Sequence, residues 1–142
     1  MRLEFIVEGP PVSQQTRRRD RLREWQQRVR QAAEKYWLTE QTIALGPVML
    51  QITYFYEAFA LDVDNIIKPI LDAIIGLAYV DDEQVTDVLV RKRLLSSELR
   101  VKDITPVLAA GFSLGYEFLH IVILDAPDQE VLTPWPPYLQ ST

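Results

Sequence analysis

The chain reads as an α/β (α+β) protein: one small domain with a mixed β-sheet of about four strands and two main helices, followed by a C-terminal extension. Three observations predict this. Short runs of alternating or continuous apolar residues stand near both ends of residues 1–125 and read as strands. A central stretch, 20–38, has apolar residues at helical spacing. A β-branched and aromatic run from Val48 to Phe59 leads straight into an amphipathic segment, giving a strand-then-helix order. With 142 residues, 48% of them apolar, the chain can bury one core and is too short for two.

The elements follow in order. Leu3, Phe5 and Val7 alternate with Arg2, Glu4 and Glu8, a first strand that Gly9-Pro10-Pro11 ends. From Asp20 to Leu38 the positions Leu22, Trp25, Val29, Ala32, Ala33 and Tyr36 form one helical stripe, with Arg23 and Arg30 on another face turned to solvent or a ligand. An aromatic stripe at this spacing packs on a sheet, so Trp25 and Tyr36 are assigned to the core. Gly46-Pro47 is a turn before the second strand. The next helix runs from Asp64 or Asn65 to about Leu77, with Pro69 close enough to its start to distort the first turn. Val85 to Leu94 is a third strand, Thr105 to Leu114 a short helix ended by Gly115, and Phe118 to Leu124 an apolar run suited to a central strand. His120, the only histidine, is expected to be a packed or edge residue. Residues 126–142, including Pro134-Trp135-Pro136-Pro137-Tyr138, form a proline-rich tail after a domain over 1–125.

The segment Asp62-Val63-Asp64-Asn65-Ile66-Ile67-Lys68-Pro69-Ile70-Leu71-Asp72, followed by Asp81-Asp82-Glu83-Gln84-Val85, carries the chemistry. At about 100° per residue, Asp64, Asn65, Lys68 and Asp72 share one arc of roughly 100°, and the isoleucines take the rest. Asp62 and Asp64, two apart at the extended end of a strand, are expected to project to the same side. Asp82, at the start of the next strand, would add a third carboxylate. Mg²⁺ is usually held by about one to three protein carboxylates, with water and phosphate completing the octahedron. Lys68 is placed to meet negative charge on a phosphate oxygen. Each residue alone has a plainer reading: Asp64 and Asn65 cap helices, Asp64 and Lys68 are an ordinary i,i+4 pair, and Asp81-Asp82 is a turn. Their conjunction favours a bound cation, because carboxylates crowded on one face repel each other without one.

The net charge of −5 is unusual for a protein that binds nucleic acid, and its distribution accounts for it. Residues 103–142 contain no Lys or Arg, so all 15 lie in residues 1–102. Residues 16–30 are arginine-rich, whereas 57–87 are acidic around the lone Lys68. Arg17, Arg18, Arg19 and Arg23, with Asn65, are therefore candidate DNA contacts. With no cysteine, the chain has no disulfide or thiolate metal site. It has no apolar run that would span a bilayer and no signal-peptide pattern at Met1-Arg2-Leu3-Glu4, so a cytoplasmic protein with no membrane partner is expected.

The pattern Asp-x-Asp-Asn-x-x-Lys-x-x-x-Asp, followed about ten residues later by Asp-Asp-x-Gln-Val, resembles the RusA-type Holliday-junction resolvases. The resemblance covers roughly residues 1–102, with Glu8-Gly9-Pro10-Pro11-Val12-Ser13 similar to that family's proline-containing loop. It implies a Mg²⁺-dependent endonuclease, Mn²⁺ being an alternative, that acts as a homodimer on branched four-way DNA. It makes Asp62, Asp64 and Asp82 the metal-binding catalytic carboxylates and Lys68 the catalytic lysine, with Asp72 and Asp81 in supporting positions around them. Gln14-Gln15-Thr16 stands where the family often has asparagine with basic or aromatic residues, and the chain continues past the family domain. A catalytically inactive junction-binding protein and a metal-dependent nucleotide phosphohydrolase are the rival readings.

Overall fold

The most apolar run of the chain takes the middle of the sheet. In the computed structural model, which describes residues 1–134, β4 (Phe118–Asp125) pairs antiparallel with β1 (Arg2–Glu8) on one side and β2 (Val48–Tyr56) on the other. β2 in turn pairs parallel with β3 (Val85–Leu94), so the order β1-β4-β2-β3 is a mixed four-stranded sheet with β1 and β3 at its edges. Three helices complete the fold: α1 (Arg19–Lys35), α2 (Val63–Ala73) and α3 (Pro106–Ser113), with one 3₁₀ turn at Asp82–Gln84. The α+β class and the single small domain are as the sequence predicts.

Register sorts the side chains onto two faces. Leu3, Phe5, Val7, Leu50, Ile52, Tyr54, Leu119, Ile121 and Ile123 point to one, where they meet Trp25, Val29 and Ala33 of α1 and Ile66 and Ile70 of α2. Burying one such large apolar side chain contributes about 1.5–3 kcal/mol. That exceeds the ~0.2–1 kcal/mol of any surface ion pair on α1, so the stripe orients the helix despite its charge. Tyr36 is half-buried against this core, as expected.

The opposite face is only partly covered. α3 lies over β1 and β4, and Phe55, Phe112 and Phe118 pack with ring centroids 4.8–5.4 Å apart. Gly111 is the contact point: a Cβ there would come within 2.2 Å of the Phe118 ring. Beside it His120 Nε2 lies 2.7 Å from Glu4 Oε2, and the Thr105 hydroxyl donates to the same carboxylate oxygen. The packed-residue reading of His120 thus stands, with a polar partner added.

Several local expectations are corrected. β2 ends at Tyr56, and residues 57–61 form a loop, so Asp62 and Asp64 are not on a strand end: Asp62 is the N-cap of α2 and Asp64 lies in its first turn. The Asn65 N–H donates to the Asp62 carbonyl at 3.0 Å, which starts the helix earlier than a cap at Asp64. Its end is also earlier than Leu77, because Gly76 takes φ +84, a conformation that stops a helix. Pro69 therefore sits inside α2, not at its first turn. Arg30 is only partly exposed and is held within the fold. It donates to the Ile75 carbonyl at 2.7 Å and pairs with Glu34 at 2.9 Å, tying α1 to the end of α2.

Gly111→Ala should destabilise the protein by roughly 1–3 kcal/mol through overpacking against Phe118, reversing the ~1 kcal/mol gain that this change gives in an ordinary helix interior. Urea unfolding measures it, and a stabilised variant would contradict the packing. Burial raises the Glu4 pKa, but the hydrogen bonds from Thr105 and His120, with the charges of His120 and Arg2, outweigh it and leave the carboxyl below its ordinary 4.5. Its stabilising contribution is therefore present above pH 4.5 and lost as pH falls through the depressed value. The stability gap between the wild type and Glu4→Gln should be widest near neutrality and close in acid. A gap that widens in acid would show the opposite sign.

Candidate active site

The crossover from β2 to β3 carries the motif. α2 docks through Ile66, Pro69 and Ile70, which leaves Asp64 and Lys68 exposed and Asn65 and Asp72 half-exposed on the opposite arc, as helical periodicity requires. Pro69 has no N–H to give the Asn65 carbonyl four residues back. The Gln14 backbone N–H takes that carbonyl instead, at 3.4 Å, so the proline loop is hydrogen-bonded to the motif helix. Gln26 Nε2 reaches the Pro69 carbonyl at 3.4 Å, adding a second link from α1.

Lys68 is the centre of the charged surface. Its Nζ stands 2.7 Å from Asp82 Oδ2 and 2.9 Å from Asp72 Oδ1. The hydrogen bonds to Asp82 and then Asp72 push its pKa up to about 12, and the Lys68 hydrogen bond is the first cause holding the Asp82 carboxyl below its ordinary value. Lys68 is accordingly a fixed cation at neutral pH, suited to stabilising negative charge and unsuited to accepting a proton.

Asp82 is held by the turn around it. The Asp81 side chain accepts from the Glu83 N–H at 3.0 Å, and Gln84 Oε1 accepts from the Val80 and Asp81 N–H groups at 2.8 and 3.1 Å. Gln84 Nε2 then donates to the Ala44 and Gly46 carbonyls at 2.8 and 2.9 Å, fastening the turn to the loop before β2. The turn reading of Asp81 is thus observed. The part played by Gln84 is new, and its signal was the Asp-x-x-Gln spacing of a capping box.

The structure joins Lys68, Asp72 and Asp82. Asp62 and Asp64 stand at the N-terminus of α2, their carboxylates exposed and without a hydrogen-bond donor among the described residues. Among the described residues no three His, Cys, Asp or Glu side chains are gathered into a metal cage. The donor chemistry still fits a hard cation: the candidate ligands are all carboxylate oxygens, two of them uncommitted. Lys92 Nζ reaches the Leu61 carbonyl at 3.4 Å, next to Asp62, and Phe59, 91% exposed, stands three residues before it. Neither was singled out from sequence; an apolar residue in a loop that precedes a charged motif was the available sign for Phe59.

Of the candidate DNA contacts, Arg17 and Arg23 are exposed and make no ion pair among the described residues. Arg18 is paired with Asp20 at 3.2 Å, and Arg19 donates to the Gln14 carbonyl at 3.2 Å. Asn65 is half-buried.

A small α+β domain whose parallel crossover displays carboxylates around one lysine belongs with the proteins its motif resembles. A family model, Endodeoxyribonuclease RusA, matches residues 10–102, and the chain belongs to that family. The family is one of endonucleases that resolve Holliday junctions. No curated protein matches the chain. Among the described residues no helix is long and apolar enough to cross a membrane.

Gln84→Ala removes four hydrogen bonds from one turn and should cost about 1–3 kcal/mol in urea unfolding. Because the turn positions Asp82, DNA cleavage should also fall about 10–100-fold. Unchanged stability together with unchanged cleavage would show that the turn holds without it.

Proposed function

We propose that the protein is a Mg²⁺-dependent, structure-selective endodeoxyribonuclease that resolves four-way DNA junctions by paired phosphodiester hydrolysis, in recombination and repair in the cytoplasm. The observation that carries this reading is the Lys68 ammonium held between Asp72 and Asp82 on the face that also displays Asp64. Asp62, Asp64 and Asp82 would hold Mg²⁺, which Mn²⁺ can replace. When bound, the cation supplies Lewis-acid activation for attack on phosphorus. Lys68 places positive charge at the scissile phosphate, Asp72 orients Lys68, and Asp81 with Gln84 holds the turn bearing Asp82. Arg17, Arg18, Arg19, Arg23 and Asn65 bind the DNA beside this centre, where positive side chains offset the repulsion between acidic residues and phosphate. Residues 1–125 form the endonuclease domain and 126–142 the tail, of which 135–142 lie outside the described residues. Cutting a junction symmetrically takes two such centres, hence a homodimer related by a twofold axis.

The test is cleavage of a labelled four-way junction against linear duplex, with Mg²⁺ and with EDTA. Symmetric nicks are expected in the junction alone, and EDTA should abolish them. Asp64→Asn, at a carboxylate that makes no structural contact, should fold and bind the junction yet not cut it. Lys68→Ala should slow cutting by about 10²–10³-fold. Cleavage that survives Asp64→Asn would sink the assignment. Tight junction binding without any cut by the wild type would favour an inactive binder, and hydrolysis of nucleotides alone would favour a phosphohydrolase.

A further inference from the structure

A groove of about 500 Å³ opens on the face of the sheet turned away from α1 and α2. Its floor is Thr53 and His120 with Arg91 and Arg93 of β3, and its wall is the segment 99–103 with the first turn of α3. Arg91, Arg93, Arg100 and Lys102 line it against one carboxylate, Asp103. None of the four makes an ion pair among the described residues. Glu4, which bonds two residues of the groove lining, is already engaged by His120 and Thr105.

Arg91 is aimed by its Nε, which donates to Thr53 Oγ1 at 2.8 Å and leaves the terminal nitrogens for a ligand. Arg93 gives one nitrogen to the Lys92 carbonyl at 3.0 Å. Partial desolvation, and then the charge of Arg93, push the Arg91 pKa down, as expected of a cation lacking its counter-ion.

We propose that this groove is a second phosphate-binding site, which takes the sugar-phosphate backbone of a DNA arm on the sheet face opposite α1 and α2. The inference rests on the junction-nuclease reading. Two features favour DNA as occupant. Arg91 and Arg93 are two apart on one strand, so they lie about 6.5 Å apart along it, the order of the spacing of successive phosphates, and guanidinium groups grip phosphates through two parallel hydrogen bonds. Strand β3 also serves both faces: Lys92, between the two arginines, turns the other way and reaches the Leu61 carbonyl beside Asp62. A branched DNA lying around this edge strand meets the groove and the acidic centre together.

The test is fluorescence-anisotropy binding of a four-way junction in EDTA over a range of salt, comparing the wild type with Arg93→Gln/Lys102→Gln. A charge-matched control, Arg2→Gln/Lys35→Gln, lies outside the groove. The groove variant should bind several-fold more weakly, and the slope of log K against log salt should shrink by about 1.8, the loss of two phosphate contacts. The control should change neither by as much. Arg100→Gln/Lys102→Gln, both exposed, serves if the first variant fails to fold. Equal losses in variant and control, or unchanged binding in the variant, would overturn the groove site. A wild type that binds the junction but never cuts it would sink the nuclease reading and leave the groove standing; one that binds no DNA would overturn both.

Discussion

Two parallel neighbours in a sheet cannot be joined by a tight turn, so the pairing of β2 with β3 commits everything between Tyr56 and Val85 to a crossover. The crossover needs a helix with one apolar face to pack and leaves its other face in water. α2 is that helix, and its wet face is where Asp64, Asn65, Lys68 and Asp72 stand. The return to β3 brings Asp82 back alongside α2, close enough for its carboxylate to meet Lys68 at 2.7 Å. The site is therefore a by-product of strand direction.

Proline inside α2 turns a local defect into a tertiary link. The carbonyl that Pro69 cannot serve goes to the backbone of the proline loop, and Gln84 does similar work at the other end by tying the turn at 80–84 to residues 44–46. Both links join the charged centre to loops that cross the sheet end. The first is a single hydrogen bond and the second a pair, each bond of modest net worth, about 0.5–1.5 kcal/mol, so they position the centre while the Trp25, Ile66 and Ile70 core supplies most of the global stability.

The sheet was legible because its strands have strong patterns. Phe118 to Leu124 is apolar on both faces and became the central strand, while Leu3, Phe5 and Val7 alternate and became an edge. The motif helix was legible in type and face but not in its ends. The decisive facts at its start were the five-residue loop after Tyr56 and an Asp62 cap that works through its backbone, since Asp62 makes no side-chain capping bond. At its other end the signal was present in Gly76, a glycine followed by more apolar residues that disguised it. Arg30 was misplaced because periodicity gives a residue its face but not its reach: a long side chain on the rim of α1 bridges to carbonyls at the end of α2. Pairings across the fold, such as His120 with Glu4, leave no mark at the level of spacing.

Charge on an edge strand has an ordinary explanation, which the groove on the back of the sheet must exceed. An exposed edge invites pairing with another strand, and lysine or arginine on it prevents that; β3 is such an edge, and Arg91, Lys92 and Arg93 suffice for the purpose. Edge protection does not account for Arg100 and Lys102, which lie on the following segment and face the same groove. Nor does it account for the absence, among the described residues, of any ion pair to these four side chains in a chain with 20 acids. The family match ends at residue 102, so this wall stands at its limit and the first turn of α3 beyond it. Four converging cations cost repulsion in the free protein, and a polyanion relieves it. The elaboration after β3 thus extends the charged surface of the molecule around the edge strand, with carboxylates beside α2 on one face of the sheet and basic side chains in the groove on the other.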